Sequence, residues 1–285
     1  MSTLSNLSSN LTSLFNALNG GQPIAISLSQ STNPWQFAIN CGVVLVSGIG
    51  ILAVPMILSG GKPIKKAKSI KEFSRITGRP TIIIDHSRQR LFKPAMIDKK
   101  TVTDIIRAMN RIGGKDFNLV LNSGGGEVFS SQLISDVMQK YPGNIEIYVP
   151  KYSMSGATLL ALSGKRIHMT PYSSLGMLDA QIGTFLTSGS AKGWETVVEM
   201  KGSKANDNSI LHNITGKQVT QSLRENIFNV IQGKTNKPEE VVDYLTSGKH
   251  EHIKQIKINK LLELGFNNIC NISPQEERLL CNMVD

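Results

Sequence analysis

From Pro80 onward the chain alternates short β-branched and apolar runs with stretches whose apolar positions recur at helical spacing. TIII at Thr81 to Ile84, LVL at Leu119 to Leu121, IEIYV at Ile145 to Val149 and RIHM at Arg166 to Met169 read as buried strands. Between them, TVTDIIRAMNRI sets Val102, Ile105, Ile106, Met109 and Ile112 on one helical face. EVFSSQLISDVMQKY does the same with Phe129, Leu133 and Val137. Strand and helix alternating at this spacing predict an α/β layer architecture with a mostly parallel sheet. After Gly183 the pattern turns helical: KQVTQSLRENIFNVI, then PEEVVDYL with Pro238 in its first turn, then NKLLELGF. From Asn267 to Asp285 no period is evident, and the stretch reads as a loose tail.

The longest apolar run precedes all of this. Phe37 to Leu58, FAINCGVVLVSGIGILAVPMIL, carries no charge and as a helix is long enough to cross a hydrocarbon core of roughly 30 Å. No basic residue stands before it, which argues against a cleaved secretory signal. Lys62, Lys65, Lys66, Lys68, Lys71, Arg75 and Arg79 follow it against the single acid Glu72, a flank that the positive-inside rule keeps in the cytoplasm. The expectation is a single-pass membrane protein. It has an uncharged extracytoplasmic leader over 1–36, a transmembrane helix over 37–58 and a basic juxtamembrane linker over 59–79. A cytoplasmic globular domain over 80–268 and a tail over 269–285 complete it, with the lipid bilayer as one partner.

Composition narrows the function classes. The 285 residues are 40% hydrophobic, enough for a sizeable core, so neither a disordered chain nor a disulfide-stapled miniprotein fits. The excess of 31 Lys+Arg over 21 Asp+Glu is densest directly after the apolar run and not beside aromatic stacking residues, so no nucleic-acid partner is expected. The 3 cysteines offer neither metal-ligand spacing nor a disulfide framework and read as thiols in a reducing compartment.

Two strand ends carry unusual chemistry. In LVLNSGGGEVF, Gly124, Gly125 and Gly126 stand between a buried strand and a helix start, where backbone N–H groups can approach a bound group closely. Such a turn can cradle phosphate, but neither G-x-G-x-x-G nor G-x-x-x-x-G-K-[ST] is met; a tight structural turn is the plain alternative. In VPKYSMSGATLLALSG a strand ends at Pro150 and an apolar helix begins around Ser155. That serine is either an N-cap or a nucleophile at the positive end of a helix, with the Gly156 N–H ready to bind an oxyanion. The elbow pattern G-x-S-x-G is absent, since Ser153 and Ala157 flank it.

Together the blocks LNSGGG, KYSMSGATL and LGMLDAQIG resemble the serine dehydrogenase proteinase family, membrane-anchored relatives of signal peptide peptidase A within the Clp protease/crotonase superfamily. The corresponding family blocks read L-H-T-P-G-G, H-Y-A-M-S-G-G-T-L and L-G-P-V-D-P-Q-L-G. The resemblance covers roughly Trp35 to Asn268 and extends to VVEMK and LTSGKHEHI. It implies a Clp protease/crotonase-like superhelix of β-β-α units over 80–268, assembled into homo-oligomers. It also implies a membrane-anchored serine endopeptidase acting on polypeptides without metal or organic cofactor. Carried over by position, Ser155 is the nucleophile and the backbones of Gly126 and Gly156 are the oxyanion donors. The base implied is Lys201 in a Ser-Lys dyad, with Lys204 as the alternative; a lysine base must be buried to shed its proton.

The departures are Gly124 for a proline and Ala157 for a glycine. Asp179 keeps the family acid and is expected in a structural role or in one that supports the reacting groups from behind. His86 and His252 read as hydrogen-bonded structural residues, and His168 falls in a strand. The His250–Glu251–His252 run is too sparse for a metal site. The rival function is a catalytically inactive membrane scaffold of the same fold, acting through oligomerisation and partner binding. A crotonase-type acyl-CoA enzyme is the third reading.

Overall fold

The computed structural model describes residues 62–87, 95–183 and 188–284. Its main sheet is five-stranded and parallel throughout, in the order β1 (Thr81–Asp85), β2 (Phe117–Asn122), β3 (Ile145–Val149), β5 (Arg166–Met169) and β9 (Ile269–Asn271). All four strands read from the sequence are present, with Leu119 opposite Ile147 and Ile147 opposite Ile167. Alternate residues go to opposite faces. Phe117, Leu119, Leu121, Ile145, Ile147 and Val149 join the larger core, together with residues of α2 (Lys99–Ile112), α3 (Val128–Gln139) and α4 (Gly156–Ser163). Helices α6 (Asp207–Ile231) and α7 (Pro238–Thr246) close that face with Leu223, Ile227 and Val242. Val120 and Tyr148 turn the other way, onto α1 (Lys62–Thr77) and α9 (Pro274–Cys281).

Short extended pieces form a second row beside the main strands. Ser123 bridges Ser153 of β4 (Tyr152–Ser153), and β4 pairs with β6 (Ser174–Leu175). Each turn of chain therefore runs through a long strand and a short one, and α3 and α4 follow the first two turns. This is the α/β fold with a parallel sheet flanked by helices that the Clp protease/crotonase resemblance implies. A β7–β8 hairpin (Gln181–Ile182 and Gly189–Ser190) leads into α5 (Ala191–Lys201). The small helix α8 (Ile258–Glu263) precedes β9.

The preceding transmembrane helix is corrected. Among the described residues no helix is long and apolar enough to cross a membrane, and 37–58 lies outside the described residues. The basic stretch behind it has a folding reason of its own. It forms α1, which buries Ile70 and Phe73 against the sheet and turns Lys65, Lys68, Lys71 and Arg75 to solvent. Burying Phe73 alone is worth about 2–3 kcal/mol. The membrane-anchored function, the inactive membrane scaffold, the bilayer as partner and the single-pass placement with its cytoplasmic side all rest on that helix and fall with it.

Two smaller expectations also change. The apolar stripe of α3 is not its buried face: Phe129 is 70% exposed, while Ser130, Ser131, Ile134, Ser135 and Met138 are buried. The serines suit a tight contact with α4, where the Ser135 and Ser163 hydroxyls bond at 2.8 Å. The end of the chain is not a loose tail either. Strand β9 pairs with β5, and α9 starts on a capping box in which Ser273 accepts from the Glu276 N–H and the Glu276 side chain accepts from the Ser273 N–H.

Candidate active site

A cavity of about 220 Å³ opens where the glycine loop after β2 meets the start of α4. Gly124, Gly126, Ser131, Ser155, Gly156, Asp179 and His252 are among its lining residues. Main-chain bonds fix the loop: the Ile97 N–H donates to Gly125 O at 2.8 Å, and the Glu127 N–H donates to Ile97 O at 2.9 Å. This bridge leaves the Gly126 N–H outside the ladder. A methyl group on Gly126 would overlap the backbone of Ile97, with Ile97 Cα at 2.7 Å. Gly125 has a φ of 104° and lies so close to Ser155 that an added Cβ would stand 2.7 Å from the Ser155 Cβ. Only glycine allows this approach.

Ser155 occupies the N-cap position of α4 but makes no capping hydrogen bond, so the capping role open in the sequence is not realised. Its backbone sits at φ 49° and ψ −128°, and it is the one non-glycine residue with positive φ among the described residues. A side-chain-bearing residue in this region stores about 1–3 kcal/mol of strain, which persists only where the surroundings enforce it. The enforcing contacts are the Ala157 N–H to Met154 O at 2.9 Å and the Met154 N–H to Ser123 O at 2.9 Å. The Gly156 N–H, first in the helix, has no intrahelical acceptor. Gly126, Ser155 and Gly156 line one cavity, and unengaged main-chain donors near a hydroxyl are what an acyl-transfer oxyanion requires.

His86 supports the loop from behind. Its Nδ1 is 2.9 Å from the Ser123 hydroxyl, which accepts from the Gly125 N–H at 3.1 Å. Burial pushes the His86 imidazole below its ordinary value, against the opposing charges of Asp85 and Asp98.

On the far side of the cavity, Asp179 Oδ1 and His252 Nδ1 are 2.6 Å apart, and Asp179 Oδ2 accepts from Gln181 Nε2 at 2.7 Å. The antiparallel bridge between Leu175 and Ile256 and the bond from the Leu178 N–H to Leu245 O bring these distant segments together. Thr158 fastens the same segment to α4: its hydroxyl accepts from the Gly176 N–H at 2.9 Å and lies 2.7 Å from Ser153 O.

Of the residues singled out in the sequence, Ser155, Gly126 and Gly156 converge on the cavity. Lys201, at the end of α5, and Lys204, in the short 3-10 turn Gly202–Lys204, are both exposed and are not among the cavity's lining residues. His168 lies on the other face of the sheet, stacked on Tyr148 and 2.7 Å from the buried Glu146 carboxylate. His250 contacts Lys254 at 3.1 Å and the Tyr244 ring, so it does not act with His252. Asp179, expected in a structural role or one behind the reacting groups, and His252, read as a hydrogen-bonded structural residue, are bonded to each other and line the cavity. The signal that links them is the position of both in family-like blocks, and only the fold joins those blocks.

Comparison with known proteins adds to this geometry. The family model described as ClpP-like SDH-type serine proteinase matches residues 62–283. MJ0137 of Methanocaldococcus jannaschii is 27% identical over 236 residues, 79% of this chain and 80% of that protein. MJ1495 of the same organism is 25% identical over 225 residues, 76% of this chain and 75% of that protein. Among solved structures, a serine-to-alanine mutant of the 1510-N membrane-bound stomatin-specific protease aligns with a TM-score of 0.47 and 15% identity. That alignment covers 64% of this chain and 77% of that one. A lysine-to-alanine mutant of the same protease with a substrate peptide gives 0.46 and 16%, over 64% and 73%. At these scores neither structure bears on the site.

Proposed function

The chain belongs to the ClpP-like SDH-type serine proteinases, and on that premise we propose that it is a serine endopeptidase with Ser155 as nucleophile. The observation that carries this reading is Ser155 itself, strained at φ 49°, uncapped and set against the glycine loop in a cavity. Ser155 Oγ attacks a peptide carbonyl, and the N–H groups of Gly126 and Gly156 hold the oxygen that becomes negative. The resulting acyl-enzyme is hydrolysed by water. Met96, Val128, Leu178 and Leu223 line the same cavity and suit an apolar side chain next to the scissile bond.

The base implied by the family resemblance, Lys201 or alternatively Lys204, is a second reading of how Ser155 loses its proton. It requires the end of α5 to carry an exposed amine into the cavity and desolvate it there.

The test is fluorophosphonate labelling and hydrolysis of a casein-derived fluorogenic peptide set by the wild type and Ser155→Ala. The wild type labels on Ser155 and hydrolyses, and the variant does neither. Unchanged labelling and turnover in a folded Ser155→Ala protein would overturn the assignment.

A further inference from the structure

Three successive glycines set almost no conformational limit of their own, so the peptide units of the loop Gly124–Gly126 keep one orientation only where hydrogen bonds hold them. Two bonds hold Gly125. Its carbonyl accepts from the Ile97 N–H at 2.8 Å, and its N–H donates to the Ser123 hydroxyl at 3.1 Å. The first bond turns the carbonyl of the Gly125–Gly126 unit onto Ile97, which sends the Gly126 N–H, antiparallel to it across the trans peptide, to the opposite side. The Gly126 nitrogen lies 3.7 Å from the place a Cβ on Gly156 would take. The second bond holds the preceding unit against turning over.

Ser123 joins both halves of the site. Its carbonyl accepts from the N–H of Met154, one residue before Ser155, at 2.9 Å, and its hydroxyl oxygen holds Gly125, one residue before Gly126. The Ser123 side chain is 0% exposed, so its hydroxyl hydrogen needs an acceptor within the protein. His86 Nδ1, at 2.9 Å, is the acceptor in reach; among the described residues the Ser123 hydroxyl has no partner besides His86 and Gly125. The ring is placed by its own backbone, since the His86 N–H donates to Asn122 O at 2.8 Å. We infer that His86 is a positioning residue for the oxyanion loop: its imidazole takes the Ser123 hydrogen at Nδ1, and the Ser123 oxygen, so oriented, holds Gly125 and with it the direction of the Gly126 N–H.

The surroundings of His86 suit an acceptor. With Nδ1 accepting, Nε2 carries the ring hydrogen and the imidazole is neutral. The charges that reach it among the described residues are Asp85 of β1 and Asp98 at the start of α2, and both favour the imidazolium. Lys66 of α1 pairs with Asp85 at 3.4 Å, and Asp98 accepts from the Thr101 N–H at 2.9 Å. Burial outweighs the two carboxylates and favours the neutral ring.

This inference rests on Ser155 as nucleophile and on the Gly126 N–H as an oxyanion donor. His86 touches no reacting atom. Because the oxyanion develops only on the way to the tetrahedral state, a loop that has lost its orientation lowers kcat and leaves KM nearly unchanged.

The test compares full-length wild type, Ser155→Ala, His86→Phe, His86→Asn, Ser123→Ala and the double variant His86→Phe/Ser123→Ala for hydrolysis of the fluorogenic peptides and for thermal melting. His86→Phe keeps a ring and removes the acceptor, whereas the amide oxygen of His86→Asn can accept where Nδ1 does. His86→Phe and Ser123→Ala are expected to lower kcat about 10-fold or more with KM within about twofold, a part of the 10²–10³-fold lost with a whole donor. The double variant is expected to be no slower than the slower single variant, because both changes break the same chain of bonds. His86→Asn is expected to recover most of the kcat lost in His86→Phe. A Ser123→Ala protein that melts like the wild type and keeps its kcat overturns the inference. So does a double variant in which the two losses multiply, or a folded His86→Asn as slow as His86→Phe. Should His86→Phe fail to fold, Ser123→Ala decides alone, by loss or retention of kcat at a wild-type Tm. An inactive Ser155→Ala leaves the nucleophile standing in each of these outcomes, and an active one overturns both readings.

Discussion

Replacing Gly126 by alanine tests the oxyanion loop most directly. The added methyl group would meet the backbone of Ile97, with Cα at 2.7 Å, and a backbone cannot swing aside as a flexible side chain can. Relief requires parting the bridge made by the bonds from Ile97 N–H to Gly125 O and from Glu127 N–H to Ile97 O. At about 1 kcal/mol net for each bond, the loss is about 2 kcal/mol. In a domain of this size that lowers Tm by roughly 4–8 °C. The same movement carries the Gly126 N–H away from Ser155, and losing one oxyanion donor lowers kcat by about 10²–10³-fold. Gly124→Ala is the control: nothing lies within 4 Å of its added Cβ, so its stability should change by less than about 0.5 kcal/mol. Differential scanning calorimetry and fluorogenic peptide kinetics on the two variants check both effects. A Gly126→Ala protein with wild-type Tm and wild-type kcat would refute the reasoning, because the loop would then be neither tightly packed nor part of the oxyanion site.

Three further outcomes follow from single features. Ser155→Gly releases the φ 49° strain, so it should melt at or slightly above the wild-type temperature, by up to about 1 kcal/mol, while losing hydrolysis; a lower Tm would show the backbone is unstrained. On α3, Phe129→Gln should leave stability within about 0.5 kcal/mol and Ile134→Ala should cost about 2–5 kcal/mol; urea midpoints check this, and the reverse order would mean the helix presents its other face. Burial lowers Lys234 from 10.5 to about 8, and its amine donates to Leu162 O at 2.7 Å. Between those values the folded protein binds fewer protons than the unfolded chain. Stability should therefore rise as pH increases from about 8 to 10.5, by at most about 3 kcal/mol. Urea midpoints that stay flat over that interval in the wild type, or rise equally in Lys234→Met, would reject it.

Much of the core fold is legible along the chain, because buried parallel strands are continuous apolar runs and need no partner to be recognised. The helix after Asp98 is equally plain, since one face carries Val102, Ile105 and Met109 and all three are buried. Helix α3 misleads for a physical reason: close helix packing favours small side chains, so its buried face carries Ser130, Ser131 and Ser135 while Phe129 and Leu133 of its apolar stripe are left outside. The end of the chain carries a usable signal in Ser273-Pro274-Gln275-Glu276, a capping box with proline in the first turn, which marks α9 without any hydrophobic period. The uncharged run over 37–58 offers length and apolarity, and neither property distinguishes what a segment packs against. The basic residues after it resemble a topology signal, yet Lys65, Lys68, Lys71 and Arg75 are the solvent side of a core helix.

The amino-acid order alone determined the alternating strands and helices, the glycine loop, and Ser155 at a helix start, since each is a local property of neighbouring residues. Only tertiary structure decided the rest of the site. Ser155 acquires its strained backbone from contacts with the loop at Gly125, and Asp179 meets His252 across 73 positions of chain because β6 and the segment at Ile256 pair. Lys201 and Lys204, nearer to Ser155 along the chain than His252 is, end up exposed after α5, while a histidine read as structural faces the cavity. Periodicity reports which face of an element is buried; it carries no information on which distant element will cover it.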